Sequence, residues 1–313
     1  MNDDLPELPE RELPLGRHRV LKEHLMREIR TEGSDPVRVR KGWLRPSFTV
    51  PAIAAVAAAA TVVGLTVVNQ GGGGVQAAPP QAVALLDDIA LAAGKTGVPT
   101  GIRDDQYVYV DSKVSYMSSP ADGSGPPSFP PVHRREVWKS VDGTRQGLLK
   151  EPDVNPGSNQ SKLETETPGV ASNTNYRHLQ TLPTDPAKML DWLHKSSHGG
   201  KSENQNTFVL VGDLSYESLM PPEVAAALYR AAAKIPGVVV VEDAVDAAGR
   251  HGIAVGREDS GVMEQLIFDK KTKAFLGERE VAVRDVENLK KGDVIGVSAI
   301  MNRTVVDRPG QQP

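Results

Sequence analysis

The sequence predicts an α+β protein, in which a single transmembrane helix precedes an exported domain with a curved antiparallel sheet packed by helices, as in a half-barrel. Two observations lead to this prediction. No charged residue occurs between Pro46 and Leu86, and residues 48–68 form a 21-residue apolar run within that interval. Downstream, strand-like segments are interrupted by helices that open with proline, an order typical of domains with helices on one face of a sheet.

Residues 46–69 are predicted to form the transmembrane helix. A helix rises about 1.5 Å per residue, so about 20 apolar residues span the hydrocarbon core of a bilayer. Residues 36–45 contain four Lys or Arg and no acid, and the first charge after the run is Asp87. The positive-inside rule therefore predicts a single-pass protein of the cell membrane with a cytoplasmic N-terminus and an extracytoplasmic C-terminal domain.

Two other interpretations of the apolar run stay open. A buried helix of a soluble protein could also lack charge, although a soluble helix of this length normally shows a polar face. A cleaved signal peptide is the second alternative, because Val75-Gln76-Ala77 resembles a peptidase site. A 45-residue leader and a 21-residue apolar run are long for a signal peptide, so an uncleaved anchor is favoured.

Residues 1–45 are predicted to be a cytoplasmic tail, partly disordered and containing one short amphipathic helix. The tail carries ten Lys/Arg and nine Asp/Glu, so it is nearly neutral. Leu21, Leu25 and Ile29 recur at i, i+4 and i+8, which aligns them on one helix face. These three residues are the candidate partner-binding site, because a helix can dock its apolar stripe into a groove. The alternative is a marginal helix that frays at the membrane surface.

Residues 70–80 are predicted to be a Gly-rich linker, and residues 81–313 an extracytoplasmic α+β domain. Helices are predicted at 80–93, from Asp185-Pro186 to Gly199-Gly200, and from Pro222 to Gly237. An Asp142-Gly143 hairpin joins two of the strands, and residues 151–176 are expected to form a polar, irregular excursion. Strands are predicted at 106–117, 132–141, 144–150, 238–241, 244–247, 253–257, 262–268, 274–283 and 293–306, and residues 208–211 form a short apolar run.

Composition excludes several functions. The chain has 36 Lys+Arg against 40 Asp+Glu and a net charge of -4, which gives no electrostatic case for binding nucleic acid. The absence of cysteine excludes disulfides, thiolate zinc sites, iron–sulfur clusters and a cysteine nucleophile. Neither a Gly-x-Ser-x-Gly elbow nor a His-Glu-x-x-His motif occurs in the sequence.

Three local patterns resemble chemical sites. Gly94-Lys95-Thr96 matches the end of a phosphate-binding loop, but Ile89 stands where the Walker pattern needs glycine, so a helix end is the simpler interpretation. His194 and His198 have metal-ligand spacing, yet only Glu203 offers a third ligand nearby. Adjacent acidic pairs such as Asp87-Asp88 point in different directions, so they are not acid–base dyads by spacing. We therefore expect no catalytic activity, no cofactor and no metal, although an active site without a linear motif would leave a hydrolase possible.

Four stretches carry a family resemblance, namely LPTDPAKMLDWL (182–193), FVLVGDL (208–214), PPEVAAALYRAAAKIPGV (221–238) and VEDAVDAAGRHGIAV (241–255). They resemble an actinobacterial family of single-pass membrane proteins, known chiefly by a locus-tag name and often encoded beside extracytoplasmic-function sigma factors, and the likeness spans residues 40–310. More remotely, the order of elements is similar to the LolA/RseB-like fold, in which an unclosed barrel binds acyl chains or partner proteins. The gene association implies regulation of a sigma factor. The sequence departs from many anti-sigma domains, because it lacks their zinc-binding His/Cys motif and its tail supplies one helix rather than a bundle.

The expected function is that of a membrane-anchored extracytoplasmic binding or sensing protein. Its exported domain would detect an envelope protein or an apolar ligand, and its tail would contact a cytoplasmic partner such as a sigma factor. The alternative is a carrier of lipids or other apolar ligands in the cell envelope, which requires a cavity between sheet and helices. A fully packed core would give the same sequence pattern, so the sequence does not distinguish a domain with a cavity from a domain without one.

Overall fold

The computed structural model of the protein describes residues 77–117, 128–155, 158–286 and 289–313. The predicted tail, the predicted transmembrane helix and most of the linker precede residue 77. Leu21, Leu25 and Ile29 therefore lie outside the described residues. Among the helices of the described ranges, none combines the length and the hydropathy that crossing a bilayer requires.

The described residues form an antiparallel sheet of nine strands and a layer of helices. The sheet order is β4-β3-β2-β1-β9-β8-β7-β6-β5, so its two edge strands do not pair with each other and the sheet is open. The elements in chain order are α1 (Pro80–Ala93), β1 (Tyr107–Tyr116), β2 (His133–Ser140), β3 (Gly147–Asn155), β4 (Ser158–Leu163), α2 (Tyr176–Leu179), α3 (Pro186–Ser196), α4 (Glu203–Tyr216), α5 (Pro222–Ala232), β5 (Val238–Val245), β6 (His251–Asp259), β7 (Val262–Phe268), β8 (Phe275–Ala282) and β9 (Val294–Val306).

The structure confirms the predicted α+β class and the helices that open with proline. Asp185 caps α3, because its carboxylate accepts hydrogen bonds from the backbone N–H groups of Ala187 and Lys188. Proline at the first helical position needs no hydrogen bond there, and it opens α1, α3 and α5 alike. The predicted bounds of α1 and β7 match those observed.

Four predictions are corrected by the structure. The apolar run 208–211 belongs to α4, which is buried around most of its circumference and therefore shows no amphipathic period. The polar excursion 151–176 contains the end of β3 and all of β4, an edge strand whose exposed polar side chains hide its pattern. Segments 238–241 and 244–247 are one strand, β5, with a bulge between them. Gly143 has a positive φ of 76°, but residues 141–146 form a longer connection than a two-residue hairpin.

The helices cover one face of the sheet and form the main core with it. Phe208 and Leu214 of α4 and Leu228 of α5 are fully buried against Leu266 and Phe268 of β7. The ring of Tyr229 meets that of Phe268 edge-on, with centroids 5.3 Å apart. Burial of this apolar area is the main stabilising contribution to the domain.

The half of the sheet from β5 to β9 bends towards the face opposite the helices. The N–H of Ala247, in the turn between β5 and β6, donates to the carbonyl oxygen of Ser298 on β9 at 3.2 Å. In a flat sheet, β6 and β9 would lie about 14 Å apart, because strands are spaced by about 4.8 Å. Arg250 of the same turn donates to the carbonyl oxygens of Leu276 and Ile300, at 3.2 and 2.9 Å. The predicted curved sheet is therefore confirmed, with its concave side away from the helices.

The bend depends on a position without a side chain. A Cβ atom on Gly277 of β8 would overlap the carbonyl oxygen of Ser298 and lie 3.1 Å from Cα of Ala299, and the residue has a φ of +158°. The main chains of β8 and β9 therefore approach more closely than any residue with a side chain would permit.

We expect Gly277→Ala to lower the free energy of unfolding by about 1–3 kcal/mol, because the added methyl group forces β8 and β9 apart. Thermal denaturation of the full-length chain in detergent measures this difference. Gly97→Ala is the matched control, since nothing lies within 4 Å of a Cβ at that position. Equal stability of the two variants would show that the two strands separate without cost.

Candidate functional site

The concave face of β6, β7, β8 and β9 is the candidate functional site, and we call it the trough. Leu266 and Phe268 of β7 pack against the helices, so Gln265 and Ile267, which alternate with them along the strand, face the concave side. One cross-strand row runs across this face and ends on β1; it consists of Gly256, Gln265, Arg279, Val297 and Ser115.

The walls of the trough are apolar. Met263, Val281 and Val297 are buried, with 3%, 9% and 8% of their surfaces exposed. Gly256 adds no side chain, and the side chain of Met263 lies over it, with its sulfur 3.1 Å from the position that a Cβ would take. Towards the turn between β5 and β6, the same face is closed by a cluster of Ala244, Ala254, Ile267 and Leu276. The trough is therefore blocked at that end.

Arg279 and Gln265 place unsatisfied polar groups on these apolar walls. Arg279 is partly buried and makes no hydrogen bond or ion pair with the described residues, and burial lowers the pKa of its guanidinium. Gln265 is only 5% exposed, and its Oε1 has no hydrogen-bond partner in the described part of the chain. Its Nε2 lies 3.7 Å from the sulfur of Met263. Buried polar groups are nearly always hydrogen-bonded, so this cation and this acceptor are suited to groups of a ligand.

Two exposed apolar residues belong to the segment that covers the β1 end of the cross-strand row. The hydroxyl of Ser115 donates to the carbonyl oxygen of Pro130, which places residues 128–132 beside the end of the cross-strand row. Phe129 and Val132 in this segment are 42% and 46% exposed. From Arg279 to Ser115 the row crosses two strand spacings, about 10 Å. A ligand held at Arg279 would thus have an apolar surface along which to extend.

A second polar cluster, on the helix-facing side, joins β2 and β3 to the connection between α4 and α5. Arg135 donates from Nε to Oε1 of Glu217 at 2.6 Å and from Nη1 to Glu151. Nε2 of His133 lies 2.8 Å from Oε1 of Glu151. Burial alone would raise the pKa of Glu217, but the charges of Arg135 and Lys139 and the Arg135 hydrogen bond hold that pKa below its ordinary value. These charged groups bind one another, so the cluster is a structural clamp.

The chemical patterns in the sequence resolve as ordinary structural features. Gly94 caps α1, with its N–H donating to the carbonyl oxygen of Ala90 at 2.9 Å, which confirms the helix-end interpretation of Gly94-Lys95-Thr96. Nδ1 of His194 lies 3.2 Å from the hydroxyl of Thr207 and 3.7 Å from Glu203. Across the described residues, no group of three or more His, Asp or Glu is arranged to hold a metal ion.

Sequence reasoning missed Arg279 and Gln265. The available signal was a pair of polar residues inside two segments predicted as strands, residues 262–268 and 274–283. Their proximity depends on the pairing of β7 with β8, in which Gln265 stands opposite Arg279, and the sequence did not reveal this register.

Comparison with known proteins yields weak structural likenesses. No protein-family model and no curated protein matches the chain. A crystal structure of MucB in complex with MucA(peri) is 12% identical, with a TM-score of 0.22, and the match covers 74% of this chain and 59% of that one. A LolA superfamily protein, NE2245 from Nitrosomonas europaea, is 8% identical, with a TM-score of 0.20, and the match covers 72% of this chain and 94% of that one. Both TM-scores are low, so the likenesses do not bear on the function of this chain.

Proposed function

We propose that the protein is a membrane-anchored binding or sensing protein of the cell envelope, whose exported domain binds an amphipathic ligand in the trough. The observation that supports this is the pair formed by Arg279 and Gln265 on adjacent strands, a cation and an acceptor that lack partners among the described residues. Without a partner, neither the guanidinium of Arg279 nor Oε1 of Gln265 stabilises the fold, because burying an unpaired polar group costs free energy. Features that cost stability are typically retained for function.

The groups in the trough suit binding rather than catalysis. A nucleophile requires a base within hydrogen-bond reach. The polar groups of the cross-strand row are one guanidinium, one amide and the hydroxyl of Ser115, which is bonded to Pro130. A guanidinium that stays charged at all ordinary pH values orients an anion but does not exchange protons with it.

In this proposal residues 46–69 anchor the protein, and the tail carries the signal. Leu21, Leu25 and Ile29 form the contact with a cytoplasmic partner, for which a sigma factor is our candidate. The support is the arrangement along the chain, since a short amphipathic stripe precedes an apolar run of membrane-spanning length and a large folded domain follows it.

Leu25→Asp is expected to reduce recovery of the cytoplasmic partner at least about tenfold, because a carboxylate would be buried in an apolar contact. The measurement is crosslinking and affinity purification of the full-length protein from its native membrane, followed by quantitative mass spectrometry. Val20→Asp is the matched control, since Val20 lies off the stripe of Leu21, Leu25 and Ile29. Equal recovery of the partner with both variants would contradict the proposed role of the tail.

A carrier of lipids or other apolar ligands is the second candidate. It is favoured by the exposed Phe129 and Val132, which offer an apolar exit for transfer of a ligand. Mass spectrometry of small molecules extracted from the purified full-length protein tests both functions together, and a protein free of bound amphiphiles would contradict both. A carrier transfers its ligand to acceptor vesicles, whereas a sensor changes recovery of its partner when the ligand is removed.

A further inference from the structure

We infer that the trough recognises an acylated amino-acid carboxylate, in which a carboxylate, an adjacent amide N–H and an apolar group are joined in one ligand. The guanidinium of Arg279 binds the carboxylate, and Oε1 of Gln265 accepts the amide N–H. This inference rests on the proposed ligand-binding function and specifies its ligand. An N-acylated amino acid and the C-terminus of a peptide are two sources of the same chemistry.

The anionic part of the ligand follows from Arg279. Its neighbours in the cross-strand row are Gln265 and Val297, and neither carries a negative charge. A guanidinium presents a planar fork of donors that matches the two oxygens of a carboxylate. Because the group is partly buried, an anion bound there interacts with it more strongly than it would in water.

The ligand must carry a hydrogen-bond donor, because Gln265 offers an acceptor. Its side chain is 5% exposed, and its free Oε1 can accept an N–H or an O–H. Directly opposed residues of an antiparallel pair have Cβ atoms about 4.5–5.5 Å apart, so both side-chain ends can reach one small group. In an acylated amino acid a single carbon separates the carboxylate from the amide nitrogen, which meets this condition. Sulfate would fill only the Arg279 position and would leave Oε1 of Gln265 unpaired.

The apolar part follows from the shape of the trough. The end beside the turn between β5 and β6 is closed by Ala244, Ala254, Ile267 and Leu276. The acyl group therefore extends from Arg279 across Val297 towards Phe129 and Val132, a path of about 10 Å to the β1 edge. Exposed apolar residues at the end of a buried apolar wall allow a longer chain to continue outward.

The test measures binding to the full-length protein in nanodiscs by calorimetry. The probes are N-decanoylglycine, its methyl ester, lauric acid, sodium sulfate and an acetylated peptide that ends in a free carboxylate. We expect N-decanoylglycine or the peptide to bind most tightly. Loss of the charge in the ester weakens affinity about 10- to 100-fold, and loss of the amide N–H in lauric acid weakens it about 2- to 10-fold. Whichever of the two bound probes has the higher affinity identifies the source.

Variants assign each contact. Arg279→Met abolishes the preference for the acid over the ester, and Gln265→Met abolishes the preference for the acylated amino acid over lauric acid. Arg308→Met, at an exposed position, leaves both preferences unchanged. Arg279→Met also leaves the melting temperature unchanged or higher, because it removes a partly buried charge that has no partner among the described residues. A structural role for Arg279 would lower the melting temperature instead.

Two results would overturn the inference. One contradicts only the recognition of an acylated amino-acid carboxylate, and the other also contradicts the proposed ligand-binding function. If lauric acid and N-decanoylglycine bind equally and neither variant alters the preferences, the recognition is wrong while ligand binding stands. If none of the apolar probes binds, or only sulfate does, both the recognition and the proposed ligand-binding function are wrong.

Discussion

Glu217→Gln is expected to lower the free energy of unfolding by about 3 kcal/mol. Glu217 is 6% exposed and binds Arg135, whose side chain is 12% exposed. Removing one partner of a buried ion pair leaves the other charge uncompensated, at a typical cost of about 3–5 kcal/mol. The lower end of that range applies, because Arg135 keeps its contact with Glu151. Chemical denaturation of the full-length protein measures the difference.

The same pair makes stability dependent on pH. The pKa of Glu217 is lowered in the folded protein from its ordinary value of 4.5, so its stabilising contribution is fully present above about pH 4.5. That contribution is lost as the pH falls through the lowered pKa, because protonation neutralises the carboxylate. In Glu217→Gln the part of the acid destabilisation that arises from this residue should disappear.

Glu203→Gln is the matched control for this experiment. The side chain of Glu203 is 77% exposed, so the same substitution there should change the free energy of unfolding by less than about 0.5 kcal/mol. If Glu217→Gln proved as mild as Glu203→Gln, the clamp between β2, β3 and the helical layer would contribute nothing to stability.

Trp138→Ala is expected to destabilise the protein by about 3–5 kcal/mol, the usual cost of removing a large buried aromatic side chain. Trp138 is fully buried on the face away from the helices, with its ring centroid 5.0 Å from that of Tyr109. Its indole N–H donates to the carbonyl oxygen of Gln311 at 2.6 Å, so the side chain also holds the C-terminal segment. Thermal and chemical unfolding of the full-length chain measure the loss.

Trp138→Phe separates the two contributions of this side chain. Phenylalanine retains an aromatic ring but has no N–H, so the variant loses the bond to Gln311 and part of the packing. A smaller loss than that of Trp138→Ala is expected, together with faster proteolysis of residues 307–313. If the phenylalanine variant were as unstable as the alanine variant, the hydrogen bond would outweigh the packing.

The sequence predicted the helices better than the site. Proline at the first position and the cap at Asp185 are local signals, and they placed the start of α3 correctly. The curvature of the sheet depends on Gly277 and Arg250 meeting strands distant in sequence, which no local pattern reveals. Arg279 and Gln265 look like ordinary polar residues of half-exposed strands until the bend encloses them. The predicted partner site at Leu21, Leu25 and Ile29 stays a prediction.

The contacts of Arg250 predict that the curled half of the sheet opens cooperatively. Its guanidinium binds carbonyl oxygens on β8 and on β9, while its Nε binds Asp246, whose side chain has no exposed surface. Pulling β9 away from β8 therefore breaks bonds to the turn between β5 and β6 at the same moment. We therefore expect the amide protons of these strands to exchange with solvent together, when the whole unit opens.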